Sequence, residues 1–147
     1  MTWSIRVAER RDLPEIFAIE QAQFPEPWTK AMLLDEIENT ENRRYTVAQE
    51  DAVIIGYLGV MFIFEDMHIN TIGVVPGNER RGIARSLMND AWADAKERGI
   101  TRATLEVAVS NEPAKKLYQE FGFMPVGIRK NYYERTKEDA LVLWADL

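Results

Sequence analysis

The stretch VVPGNERRGIARSL, Val74 to Leu87, gathers Arg80, Arg81 and Arg85 around Gly82 where an apolar run gives way to helical spacing. Amides in the first turn of a helix lack partners and carry the positive end of the helix dipole, and glycine lets a ligand approach the backbone closely. Such a turn suits an anion, pyrophosphate in particular, with the arginines adding charge-assisted contacts. A solvated helix start with surface arginines makes the same pattern. Two titratable side chains follow. Glu106 stands in the apolar run TLEVAVSN, where lost hydration would raise its pKa toward a range useful for taking a proton. Tyr118 follows in AKKLYQEFGF, and a phenol ordinarily titrates at about 10. The plainer readings are a glutamate paired with an arginine on a sheet face and a core tyrosine packed with Leu117 and Phe121.

The rest of the chain limits the chemistry. Its 147 residues, 46% hydrophobic and 29% charged, suffice for one domain with a real core and speak against disorder. A net charge of −6 argues against general binding to a nucleic-acid backbone and suits a basic peptide or an amine. Cysteine is absent, which removes disulfides, thiol nucleophiles and cysteine-bound zinc. With the single histidine, His68, a multi-histidine metal site is excluded, and no metal is expected. The N-terminal MTWSIRVAERRDL has no long apolar segment, and the longest apolar run, Ala52 to Phe64, is too short to span a bilayer. A cytoplasmic protein with neither membrane nor nucleic-acid partners is the expectation.

Positioning these residues falls to alternating strands and helices. SIRVAE, Ser4 to Glu9, alternates as a first strand. Asp12, before Pro14 and Glu15, reads as the N-cap and capping box of a helix carrying Leu13, Ile16, Phe17 and Glu20 at helical spacing. QFPEPWT breaks it, and Thr29 caps a second helix with Met32, Leu33 and Ile37 on its apolar face. RYTVAQE, AVIIGYLGVMFIF and MHINTIGVV are strands two to four, the last ending at Pro76. Ile83, Leu87, Met88, Ala91, Trp92 and Ala95 mark a helix from Gly82 to a stop at Gly99. TRATLEVAV is a fifth strand, and NEPAKKLYQEFG a short helix capped by Asn111 and closed by Gly122. FMPVGIRKNYY and DALVLWADL form a final strand pair. The order β-αα-βββ-α-β-α-ββ predicts an α/β fold, a mixed sheet with helices on both faces, in a single domain over residues 1–147. Ligands of such sheets bind beyond the carboxyl ends of strands, where the arginine–glycine turn lies.

These motifs resemble the GCN5-related N-acetyltransferase (GNAT) family. ERRGIA is similar to its acetyl-CoA pyrophosphate loop: Gln or Arg, two variable residues, Gly, one variable residue, then Gly or Ala. SNEPAKKLYQEFGF is similar to its Asn…Ala…Tyr…Gly-Phe segment, and the order of elements matches along the chain. FPEPWT, LEVAVSN and RKNYYERTKEDALVL resemble the ribosomal-protein-alanine N-acetyltransferase (RimI) branch. Glu79 stands where the family has Gln or Arg, and Ala108 where the branch has Arg. An acidic side chain aimed at pyrophosphate would repel it. The amides of Arg81 to Ala84 supply most of the family's grip, which leaves Glu79 free to face solvent.

The resemblance implies a GNAT-type fold with strands four and five splayed apart and acetyl-CoA as cosubstrate. It implies direct attack on the thioester by a protein N-terminal α-amine, with the N-terminal alanine of a small-subunit ribosomal protein as the expected acceptor. Glu106 is then the proton acceptor, directly or through water, and Tyr118 the proton donor to the thiolate. The pantetheine arm would run along Ile72, Gly73 and Val74, with a backbone N–H near Val74 as oxyanion donor and Gly73 allowing close approach. Arg80, Arg81, Gly82, Ile83, Ala84 and Arg85 would hold the pyrophosphate, and Asn111 would contact the cofactor while capping its helix. The peptide would lie between Phe24, Pro25 and Glu26 on one wall and Tyr132 and Tyr133 on the other. His68 reads as a structural or rim residue of the fourth strand, with a catalytic helper as the lesser reading. A monomer or weak dimer is expected. Lysine or small-amine acetylation and a catalytically silent acetyl-CoA-binding module are the competing readings.

Overall fold

A computed structural model describes residues 2–147, with elements in the order expected. Seven strands, β1 (Ser4–Val7), β2 (Arg43–Glu50), β3 (Val53–Ile63), β4 (Asp66–Val74), β5 (Arg102–Ala108), β6 (Met124–Tyr133) and β7 (Glu138–Asp146), form one sheet in the order β1-β2-β3-β4-β5-β7-β6. Every pairing is antiparallel except β4 with β5. The helices are α1 (Leu13–Gln23), α2 (Lys30–Glu38), α3 (Ile83–Glu97) and α4 (Glu112–Glu120). A crossover through α3 is what a parallel β4–β5 pair requires.

The apolar residues divide into two cores, one on each face of the sheet. Ile16, Ile19, Leu33 and Ile37 of α1 and α2 pack with Tyr45, Val47 and Tyr57. Leu87, Met88, Ala91 and Ala95 of α3 pack with Leu58, Met67, Leu105, Val107 and Phe123. Trp92 closes this second core through edge contacts with Phe121 and Phe123, at centroid distances of 5.2 and 5.6 Å. Side chains alternate along a strand. Leu105 and Val107 therefore point at α3, and Glu106 between them points at the α1–α2 face.

One helix start differs from the expectation. Asp12 is not a side-chain cap for α1. It ends a 3-10 turn (Arg10–Asp12), accepts from the Glu9 N–H at 2.7 Å, and is gripped by Arg6 at 2.7 and 2.8 Å. That guanidinium holds the Asp12 carboxyl below its ordinary range. Arg6 of β1 engages both carboxylate oxygens, and with the Glu9 amide it leaves none turned toward the first amides of α1. Glu15, read as its capping partner, accepts instead from the Ile54 N–H at 3.1 Å. Thr29 and Asn111 do cap their helices, accepting from Met32 N at 3.1 Å and Ala114 N at 3.3 Å.

Three irregularities position the functional region. The β4–β5 ladder ends after three pairs, Asp66↔Arg102, Met67↔Ala103 and His68↔Thr104, and the strands then part. A bulge in β4 leaves Asn70 without a partner between Ile69↔Val60 and Thr71↔Gly59. In β6 the ladder skips from Arg129↔Ala140 to Tyr133↔Glu138 around Asn131, which has φ +50° and donates its N–H to Asp139 at 2.9 Å. Bulges of this kind re-aim side chains that strict alternation would separate.

Candidate active site

A cavity of about 420 Å³ opens where β4 and β5 part, on the α1–α2 face. Its walls gather Phe24 and Glu26 from the α1–α2 loop, Ile72 from β4, Glu106 from β5, Asn111 before α4, and Tyr132 and Tyr133 from β6. These are seven of the residues expected from sequence to bind or react. Consecutive residues of a regular strand face opposite ways, so Tyr132 and Tyr133 both reach the cavity only because β6 bulges at Asn131. Their rings meet edge to face at 5.0 Å. Pro25 lies beside the cavity, exposed, with its carbonyl accepting from the Arg135 guanidinium at 2.6 Å. The Arg135 N–H donates to Glu26 Oε1 at 3.1 Å, so the β6–β7 turn is tied to the α1–α2 loop. Glu26 Oε2 is buried and has no partner among the described residues.

Glu106 meets His68 at the vertex of the parting strands, with Nε2 2.7 Å from Oε2. Sequence reasoning left His68 at the rim, because only the end of the β4–β5 ladder brings the two together across the sheet. The direction expected for Glu106 is reversed. Its carboxyl lies below the ordinary range, chiefly through the hydrogen bond from His68, which outweighs the cost of burial. His68 moves the opposite way. Burial pulls its pKa down, but hydrogen bonds to Glu106 and Asn70 together raise it above 6.5. The two shifts have one cause, the mutual hydrogen bond of an imidazolium–carboxylate pair. Arg129 Nη2 stands 3.7 Å from Glu106 Oε1. A second cavity of about 330 Å³, bounded by Met61, Arg129 and Trp144, touches the same pair from its other side.

Sequence reasoning also missed two buried carboxylates. Glu20, 1% exposed, accepts from the Tyr57 hydroxyl, from Thr71 Oγ1 at 2.9 Å and from the Trp28 N–H at 2.9 Å. Glu36 accepts from Arg43 Nε at 2.6 Å, the Tyr45 hydroxyl at 3.3 Å and Asn70 Nδ2 at 2.8 Å. The available signal was position: each stands on the apolar face of its helix, Glu20 in the stripe of Leu13, Ile16 and Phe17, and Glu36 beside Leu33 and Ile37. Burial pushes the Tyr133 hydroxyl up to about 12 and raises that of Tyr118 further.

The expected cofactor residues lie along β4 and at the start of α3, away from the vertex. Gly82 has φ +88° and α3 begins without a side-chain cap, so the amides of Ile83, Ala84 and Arg85 have no partner within the helix. Arg80 precedes it at φ +64°. Unpartnered amides in such a turn can hold an anion of the pyrophosphate kind. The other arginines already have partners: Arg81 pairs with Glu50 at 2.6 Å and Arg85 with Glu120 at 2.6 Å. Glu79 folds back onto the Gly77 N–H at 2.9 and 3.1 Å, so it occupies a turn amide rather than aiming at the cradle. A Cβ on Gly73 would stand 2.9 Å from both Ile19 and Tyr57, so packing against α1 and β3 by itself calls for a glycine there. Tyr118 does not line the cavity; it is 6% exposed and packs edge to face on Phe123 at 5.6 Å.

Comparison with known proteins places this geometry. Residues 13–123 match the model of the acetyltransferase (GNAT) family. A Bacillus subtilis (strain 168) protein, provisionally named a ribosomal protein bS18-alanine N-acetyltransferase, is 35% identical over 144 residues, covering 98% of this chain and 95% of its own. The crystal structure of the ribosomal-protein-S18-alanine N-acetyltransferase from Escherichia coli superposes with a TM-score of 0.90 at 26% identity, over 98% of this chain and 93% of that one. The fold is shared by Arabidopsis thaliana NAA60, solved in complex with acetyl-CoA, at a TM-score of 0.89 and 19% identity over 99% of each chain.

Proposed function

The chain belongs to the acetyltransferase (GNAT) family, and from that premise we propose that it transfers an acetyl group from acetyl-CoA to the N-terminal α-amine of a protein, with an N-terminal alanine of a small-subunit ribosomal protein as acceptor. The observation that carries this reading is the His68–Glu106 contact of 2.7 Å, set where the sheet opens into a cavity between the Glu26 loop and the two tyrosines. A peptide α-ammonium titrates at about 7.7–8.0, so a base near neutrality suffices to free it. Four glutamates, Glu20, Glu26, Glu106 and Glu134, border the cavity, and their charge favours a cationic chain end.

The amine proton passes to the His68–Glu106 pair. In this reading Glu106 accepts the proton and shares it with His68 Nε2, 2.7 Å away. Glu26 Oε2, buried and unpartnered, accepts from the N–H groups of the incoming chain end. Tyr132 and Tyr133 hold the peptide backbone from the opposite wall. Bound acetyl-CoA supplies the thioester carbonyl. Ile72 to Val74 align its pantetheine arm along the unpaired edge of β4, and the amides of Ile83 to Arg85 hold its pyrophosphate with Arg80 beside them. Tyr118, buried outside this cavity against Phe123, is the donor proposed for the departing thiolate, which would have to reach it through the opening between β4 and β5.

The test is a panel of acceptors incubated with acetyl-CoA and followed by release of free thiol. An Ala-starting peptide is acetylated and its N-blocked form is not. Equal turnover of the blocked, lysine-bearing form would reassign the acceptor to a side chain. Cofactor binding with no turnover on any acceptor would reduce the protein to a silent binding module.

A further inference from the structure

Behind His68, a line of hydrogen bonds runs toward α2. Arg43, Tyr45 and Asn70 all donate to Glu36, Asn70 through Nδ2 at 2.8 Å. On its other side Asn70 Oδ1 lies 2.7 Å from His68 Nδ1. Glu36 meets only donors, so turning the amide over would set carbonyl against carboxylate. The Asn70 carbonyl is thereby fixed on Nδ1, which must carry a proton to make that contact. Nε2 faces Glu106 Oε2, a second acceptor, at 2.7 Å. With acceptors at both ring nitrogens, the imidazolium alone satisfies both. The β4 bulge makes this arrangement possible, because Asn70 is the residue released from the ladder.

We propose that Glu36 and Asn70 are positioning residues that act through His68, holding it as imidazolium at rest and setting the pH above which the His68–Glu106 pair can take a proton from the acceptor amine. This rests on the acetyl-transfer reading for its purpose but not for its test. Two proton transfers are involved: Nε2–H is lost to solvent as the pair is readied, and then the ammonium N–H bond breaks as its proton passes to Glu106 and on to Nε2, where the N–H bond re-forms. Other charges surround the ring. From β5 comes Glu106, and from β6 come Arg129, which opposes the imidazolium, and the Tyr132 hydroxyl near Glu106. Asp66, two residues earlier on β4, is occupied by Arg102 at 3.1 Å, and Glu20 of α1 by Tyr57, Thr71 and Trp28. None of these contacts Nδ1, so the Asn70 carbonyl is the lever on that side.

His68 is the single histidine of the chain, and its ring carbon-bound proton gives one NMR signal to titrate. In the wild-type protein this signal should titrate above the ordinary histidine value. Asn70→Leu removes the acceptor and should move the titration, and the rising limb of kcat/KM against pH, to lower pH. Asn70→Asp keeps an acceptor and adds charge, so it should move neither downward. Glu36→Gln frees the amide to turn and should act in the direction of Asn70→Leu. A wild-type histidine at or below its ordinary value overturns the proposal without any variant, as does a folded Asn70→Leu protein whose His68 titrates unchanged. A merely structural role would lower melting temperatures and leave both titrations in place. If His68 behaves as stated and no acceptor is acetylated, the functional reading fails and the positioning role stands.

Discussion

The two ends of the β4–β5 cleft are built from different materials. At the vertex, the site is side chain on side chain: Glu36, Asn70, His68 and Glu106 stand in one hydrogen-bonded line. At the mouth, the site is backbone: Gly82 in a left-handed turn, three helix amides without internal partners, and arginines mostly held by Glu50 and Glu120. A vertex of this kind depends on the identity and titration of each residue. A cradle of amides depends on conformation, and it tolerates changes in the side chains around it. The lesson is that the charge-rich stretch is not the charge-dependent one.

Substitutions along the cleft test that contrast. Glu106→Gln should produce the largest loss, lowering kcat roughly 10²- to 10⁴-fold while coenzyme A binding, followed by calorimetry, stays near wild type. Tyr118→Phe should come next, toward about 10²-fold in kcat with binding again preserved; a wild-type rate would remove the proton-donor role. At the mouth, Gly82→Ala meets no neighbouring atom but forces an alanine to φ +88°, a strain of roughly 1–2 kcal/mol. Its effect should fall on KM for acetyl-CoA and on melting temperature, with kcat little changed. Arg81→Ala should have the smallest effect, since its guanidinium is exposed and already engaged by Glu50. A kcat collapse in Gly82→Ala, or a pure KM effect in Glu106→Gln, would erase the distinction between the two ends.

The vertex also carries a pH signature in stability. The Glu106 pKa is lowered on folding, so its contribution is present above the ordinary value of 4.5 and fades as pH falls through the folded value. The His68 pKa is raised, so its contribution is complete below 6.5 and fades as pH rises through the folded value. The stability difference between wild type and His68→Gln should therefore be greatest between 4.5 and 6.5 and decline on both sides. Denaturant melts across that range check it, and a difference independent of pH would mean that the pair is not ionic.

Much of this was legible in the residues. Apolar periodicity located the helices and strands, Thr29, Asn111 and Gly82 marked helix starts, and the amide cradle followed from one glycine before a helical stripe. Those features are local, and local spacing encodes them. Asp12 was misread because its partner, Arg6, reaches it from a strand and engages both carboxylate oxygens. Glu79 was a puzzle for the same reason in reverse, since its solution, the Gly77 N–H, depends on a turn geometry that residue types do not specify.

The sequence by itself determined the order of elements, the two-faced sheet and the family. Only the tertiary structure decided the direction in which Glu106 is shifted. An apolar strand around Glu106 implied a raised pKa, but the end of the β4–β5 ladder brings His68 to 2.7 Å and reverses it. Bulges at Asn70 and Asn131 then turn an amide and two tyrosines toward the same cleft, against the alternation that their spacing alone would dictate. Hydration lost along a strand can be read from composition, whereas a counter-ion 38 residues away is known only once the sheet has closed.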